Sequence, residues 1–161
     1  MSCAFLDYSM QGISFLANVG WIWIVSAIVL LIIPKTRKIG LAVACAMIFS
    51  LIICNVTIKP IIARVRPYDL REGIELIIAR PTDFSFPSGH TQNAVTVIGA
   101  FFLLAKKTWF KISMIVIATL VGVSRMYLGV HTIWDVVAAA GCAIIILLLL
   151  EELFMNDERF H

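Results

Sequence analysis

Apolar residues in this chain come in long blocks separated by short polar islands. Five blocks can be drawn, over residues 13–33, 39–58, 91–105, 112–127 and 132–153. A helix that crosses a bilayer needs about 20 mostly apolar residues. The pattern therefore predicts an all-α fold, a polytopic transmembrane helix bundle of about five spanning helices, with residues 1–161 in one domain. The third block is short, and its helix is expected to start in the polar turn at Ser88 and Gly89. Residues 1–12 carry Asp7 and Gln11 and are too polar to span, so they are expected to form an interfacial helix or a frayed end. A long polar connection covers residues 59–90. Within it Leu70, Ile74, Ile77 and Ile78 fall near one helical face, which predicts a short amphipathic helix over residues 70–79 at the lipid surface.

Composition strengthens this reading. The chain is 61% hydrophobic and 14% charged, against roughly 45–50% and about 25% in soluble domains. Cys3, Cys45, Cys54 and Cys142 form no C-x-x-C pair, so they are read as packing residues and not as a disulfide framework or a zinc site. The first basic residue is Lys35, which leaves no positive region for a cleavable signal. Lys35, Arg37 and Lys38 follow the first block, and Lys106, Lys107 and Lys111 follow the third. Positive loops face the cytoplasm, so the long polar connection faces the other side of the plasma membrane. Arginines also occur there, but Asp69, Glu72, Glu75 and Asp83 accompany them.

Three polar islands hold the candidate chemistry, and in a five-span topology all lie on the same side: residues 59–67, 86–90 and 124–135. Lys59, Arg66 and Arg125 are cations near the membrane boundary, where ionisable groups are costly and usually functional or paired. No acid inside the islands matches all three, so they call for an anion, and arginine donors fit phosphate. Pro87, Ser88 and Gly89 form a turn before an apolar helix, where free backbone N–H groups and the helix dipole favour a phosphate. His131 and Asp135 are four apart and would share a helix face, so the carboxylate can hold one ring N–H and leave the other nitrogen to attack. His90 can protonate a departing oxygen. No acidic cluster has the spacing of a magnesium site, and no cofactor is expected.

Each piece alone has a plainer explanation. An arginine near a helix end can be a snorkelling anchor, a Ser-Gly before a helix can be a cap, and a His-x-x-x-Asp pair can be a surface contact. Their occurrence together, in this order and on one side, favours a shared phosphoryl-transfer site. Arg64, Arg71 and Arg80 are read as headgroup contacts or ion-pair partners.

Lys59, six residues, then Arg66 and Pro67; Pro87-Ser88-Gly89-His90; and Ser124-Arg125, five residues, His131, three residues, Asp135 together resemble the three signatures of the type 2 phosphatidic acid phosphatase superfamily, which also includes vanadium haloperoxidases. The resemblance covers residues 59–135 strongly. It implies a metal-independent membrane lipid phosphatase. His131 would form a phosphohistidine, Asp135 would orient it, and His90 would be the general acid. Lys59, Arg66, Ser88, the Gly89 amide and Arg125 would bind the phosphate. Undecaprenyl diphosphate is the favoured substrate, with phosphatidylglycerophosphate and phosphatidic acid as alternatives. The implied partners are the lipid phosphate and the bilayer, with no nucleic acid. A haloperoxidase would be soluble, and a non-catalytic lipid carrier would need no nucleophile. Membrane members commonly have six spans with the first signature after the third; here it follows the second.

Overall fold

The computed structural model describes residues 4–18, 20–70, 76–104 and 106–155. These fold into α1 (Ala4–Asn18), α2 (Gly20–Ile32), α3 (Arg37–Ser50), α4 (Lys59–Ile62), α5 (Gly89–Leu104), α6 (Thr108–Tyr127) and α7 (Ile133–Met155), with no strand among the described residues. Between α3 and α4 the chain stays helical but widens to a π-helix over Leu51–Ile58. Among the described residues, three stretches are long and apolar enough to cross a membrane, Pro34–Asp69, Thr108–Tyr127 and Ile133–Leu150, and Trp23–Ile32 is a shorter apolar helix. The architecture is the expected all-α transmembrane bundle.

Residues 13–18 of the first expected block lie in α1 and residues 20–32 in α2, and Val19 between them lies outside the described residues. The polar N-terminal segment is thus helical from Ala4 and packs against α5 and α6. Next, α2 and α3 form a tight hairpin. Thr36 Oγ1 donates to Leu30 O at 3.0 Å, and Arg37 Nε donates to Leu31 O at 3.2 Å, satisfying carbonyls that the end of α2 leaves open. The close approach requires a glycine at position 40, because a Cβ there would lie 2.5 Å from Leu31 N.

The third block, α5, packs against α1, α3, α6 and α7 and is the centre of the bundle. Ala94, Val97, Ile98 and Ala100 are buried on it, and so are Thr91, Gln92 and Thr96. A helix enclosed by other helices need not be uniformly greasy, which accounts for its short apolar run. The lipid-facing surface lies on the outer elements, where Ile48, Leu51, Ile115, Val116, Ile145 and Leu149 are exposed. Trp109 and Trp134, both exposed, mark the first turns of α6 and α7. These consecutive helices start at opposite ends of the bundle, as tryptophans at two interfaces should.

The polar connection is mostly irregular, and it is fastened down. Tyr68, Leu128 and Val130 form a buried cluster, with Leu76 and Ile78 packed on it. Tyr68 Oη donates to Pro81 O at 2.7 Å. The expected amphipathic helix over residues 70–79 falls partly on residues 71–75, outside the described residues. Residues 76–80 are not helical. Burial of Leu76 and Ile78 against the α6–α7 turn takes the place of a helical face on lipid.

Candidate active site

The site gathers where α4, the polar connection, the start of α5 and the α6–α7 turn meet. Asp135 is fully buried in the first turn of α7. Its Oδ2 accepts from the Thr132 backbone N–H at 2.7 Å, and its own N–H donates to Thr132 Oγ1 at 3.4 Å. This reciprocal pairing is a capping box, and such a cap contributes about 1 kcal/mol to a helix start. His131 therefore precedes α7 instead of sharing a helical face with Asp135, as its spacing had suggested. The cap holds the two within 3.7 Å, His131 Nδ1 to Asp135 Oδ2. Ser85 Oγ donates to the same Oδ2 at 2.7 Å and lies 3.5 Å from His131 Nδ1. Arg64 Nη1 reaches Asp135 Oδ1 at 3.2 Å.

The opposite ring nitrogen fixes the tautomer. Arg66 Nη1 lies 3.3 Å from His131 Nε2. A guanidinium only donates, so Nε2 carries the lone pair and Nδ1 carries the proton. His131 is 4% exposed. Burial pushes it below the usual histidine range, and the Arg66 and Arg125 charges add to that, against the pull of Asp135. The neutral ring, with Nε2 unprotonated, is the favoured form.

Arg66 uses its whole fork. Nε donates to Asp83 O at 2.8 Å, Nη2 to Asp83 Oδ1 at 2.6 Å and Nη1 to Val130 O at 2.9 Å. Lys59, buried at the start of α4, pairs with Asp83 Oδ2. Asp83 thus bridges the two cations with one carboxylate. Burial pushes its carboxyl up, but hydrogen bonds and charge from Lys59 and Arg66 outweigh this and hold it at about 2.

Ser88 is buried and caps α5, accepting from Thr91 Oγ1 at 3.0 Å. Its N–H donates to Asp135 O at 3.1 Å, which ties the α5 start to that of α7. A Cβ on Gly89 would lie 3.2 Å from Asn55 Oδ1 and 3.8 Å from Lys59 Nζ, so the bare backbone keeps this approach open. His90 and Arg125 line a cavity of about 620 Å³. Arg125 is buried, and its Nη1 donates to Ser14 Oγ on α1.

The structure thus brings the residues expected from all three islands to one place. Sequence reasoning did not single out Ser14 or Ser85, and it treated Asp83 only as a loop acid. Arg64 is an ion-pair partner, as expected, but its partner is Asp135. One signal for the local geometry was available, the Thr132-x-x-Asp135 capping box. Nothing in the chain's spacing marks Ser14, which is brought in by helix packing. Among the described residues, no three His, Cys, Asp or Glu side chains group closely enough to hold a metal ion.

An all-helical membrane bundle that buries a histidine between a carboxylate and a guanidinium defines a class of integral membrane protein with a polar, cation-rich centre. Comparison with known proteins identifies the class. The chain belongs to the PAP2 superfamily, whose profile matches residues 39–158. It is 36% identical over 130 residues to an undecaprenyl-diphosphatase of Sulfolobus acidocaldarius, covering 77% of this chain and 60% of the relative. It is 37% identical over 117 residues to phosphatidylglycerophosphatase B of Bacillus subtilis, covering 66% of this chain and 54% of that one. The chain therefore spans little more than half the length of these curated relatives. Its fold superposes on the crystal structure of a transmembrane PAP2 type phosphatidylglycerolphosphate phosphatase from Bacillus subtilis with a TM-score of 0.81 and 27% identity, covering 100% of this chain and 82% of that one.

Proposed function

We propose that this chain is a lipid phosphate phosphatase that works through a phosphohistidine on His131. The observation that carries the reading is the His131 ring, with its Nε2 lone pair turned toward Arg66 and its Nδ1 toward Asp135 and Ser85. In the first step Nε2 attacks phosphorus, the P–N bond forms and the bond to the leaving oxygen breaks. His90 gives that oxygen its proton. In the second step water attacks the phosphohistidine, His90 takes a proton from it, and the P–N bond breaks to release inorganic phosphate. Asp135 and Ser85 hold the Nδ1 proton and stabilise the charge that develops on the ring. Lys59, Arg66, Arg125, Ser88 and the Gly89 amide meet the charge on the transferring group. Arg66 Nη1 exchanges its bond to Nε2 for a phosphate oxygen.

Undecaprenyl diphosphate is the favoured substrate, with lipid monophosphate as the leaving group. The name of the Sulfolobus relative supports it. Phosphatidylglycerophosphate is the second reading, supported by the names of the Bacillus relative and structural neighbour. The purely basic connections at residues 34–38 and 106–111 support a site facing out of the cytoplasm. An impermeant thiol reagent on spheroplasts should label Leu70→Cys and spare Lys107→Cys, and the reverse pattern would invert the topology.

The deciding experiment is phosphate release by purified protein from undecaprenyl diphosphate, phosphatidylglycerophosphate and phosphatidic acid, with and without excess chelator. Release from at least one lipid, undiminished by chelator, is expected. No release from any of them would sink the phosphatase reading. Release abolished by chelator and restored by magnesium would sink the metal-free mechanism.

A further inference from the structure

The cavity that His90 and Arg125 open onto is walled by α1, through Gln11 and Ser14 among others, and faced by Arg80 and Thr82 of the polar connection. His131, Lys59 and Arg66 do not line it. It therefore extends from the side of the site where His90 would protonate the departing oxygen. Two hydrogen bonds dock α1 here. Tyr127 Oη donates to Asp7 Oδ1 at 2.7 Å, and Arg125 Nη1 donates to Ser14 Oγ. Asp7 and Ser14 are seven residues apart, two helical turns, so both point from one face of α1.

Arg125 is in an unusual position for a buried cation. It is 2% exposed, yet among the described residues it pairs with no carboxylate and its Nε has no hydrogen-bond partner. Burying an uncompensated charge is costly unless an anion arrives. Ser14 is 4% exposed. A hydroxyl can accept one guanidinium proton and fix the side chain without neutralising it. A carboxylate in the same place would hold the arginine more firmly but would quench its pull on phosphate.

We propose that Ser14 is a positioning residue for Arg125, and that α1 thereby forms the wall of the active site on the leaving-group side. The neutral hydroxyl keeps the guanidinium aimed and charged. The proposal rests on the phosphatase reading for the identity of the leaving group, but not for the binding of phosphate.

The test uses purified full-length protein with Ser14→Ala, Ser14→Thr and Ser14→Asp. Binding of inorganic phosphate, hydrolysis of an aryl phosphate and thermal stability are measured for each. Ser14→Ala should weaken phosphate binding about ten- to a hundredfold, the scale for losing a hydrogen bond to a charged group. Ser14→Thr should recover most of it. Ser14→Asp should bind phosphate less well than Ser14→Ala while melting no lower. A merely structural role predicts the opposite order, with Asp at least as good as Ala. Phosphate binding by Ser14→Ala equal to the unaltered chain overturns the proposal, as does binding by Ser14→Asp equal to Ser14→Thr. Should Ser14→Asp fail to fold, the Ala and Thr pair still decides. If the unaltered chain binds phosphate but hydrolyses no phosphate ester, the function reading fails, and the binding comparison still judges Ser14.

Discussion

The two sides of the polar centre are built differently. Around His131, nearly every donor and acceptor is used within the protein: the Arg66 fork is filled, Lys59 and Arg66 share Asp83, and Asp135 is met by Arg64, Ser85 and Thr132. Around His90 and Arg125, a buried guanidinium has one neutral hydroxyl partner among the described residues and faces a cavity. A saturated network holds a nucleophile in one orientation, since each group's position is over-determined by its neighbours. A buried cation without such a network stays open to an anion. The contrast is one of rigidity, with one side fixing the His131 ring and the other open to the cavity.

The largest effect should come from the saturated side. His131→Ala removes the proposed nucleophile and should lower turnover of every substrate by on the order of 10⁴-fold or more, with no trapped phosphoenzyme. His90→Ala should cost about 10²- to 10⁴-fold on a lipid substrate, the usual range for a proton donor. It should cost much less on an aryl phosphate, whose leaving group needs no proton. Rapid-quench trapping with labelled substrate distinguishes them. An acid-labile phosphoenzyme in His131→Ala that is absent from His90→Ala would show the roles to be reversed.

A smaller pair of effects separates the arginines. Lysine cannot replace a filled fork, so Arg66→Lys leaves Val130 O and the Asp83 groups short of donors. It should destabilise the protein by about 2–4 kcal/mol, as for breaking a buried charged network. Arg125→Lys removes a guanidinium with a single described partner. It should leave stability nearly unchanged while raising KM several-fold. Denaturation midpoints in detergent, set beside KM, check both. Equal stability losses in the two variants would erase the contrast.

What the sequence made legible follows the same division. Lys59, Arg66, His90, Arg125, His131 and Asp135 stand out because ionisable residues interrupt apolar blocks, and that signal is local. The helix bundle was legible for the same reason, through block length. The partners were not. Ser85 and Asp83 look like any loop residues until the fold lays residues 83–85 against Arg66 and Asp135. Ser14 sits at the start of the first apolar block, where nothing marks it, and only the packing of α1 against α6 brings it to Arg125. The π-helical widening at Leu51–Ile58 has no strong pattern in the chain, because hydropathy reports burial and not helical pitch.

The smallest effect concerns pH, and it runs through Asp83. His131 titrates below the usual histidine value, chiefly through burial. Its attacking nitrogen thus stays unprotonated to a lower pH than in free histidine, and the acidic limb of kcat/KM should fall below about 6.5. The stability effects are separated by pH. The neutral His131 is favoured by the fold, so its contribution is complete above about 6.5 and is lost as the pH falls through its folded value. Asp83 contributes fully above about 3.9, its unfolded value, and loses that contribution as the pH falls through about 2. Asp83 is therefore charged throughout any assay range and partly offsets the field of Lys59 and Arg66. In Asp83→Asn that offset is gone. The two cations then press harder on His131, and the acidic limb should move lower still, by about half a unit. Inorganic phosphate should also inhibit more strongly, because an internal anion no longer competes for the same donors. The measurement is a kcat/KM profile of both proteins with an aryl phosphate. An acidic limb that rises in Asp83→Asn would mean that Asp83 acts by shaping the loop, and that its charge does not reach the nucleophile.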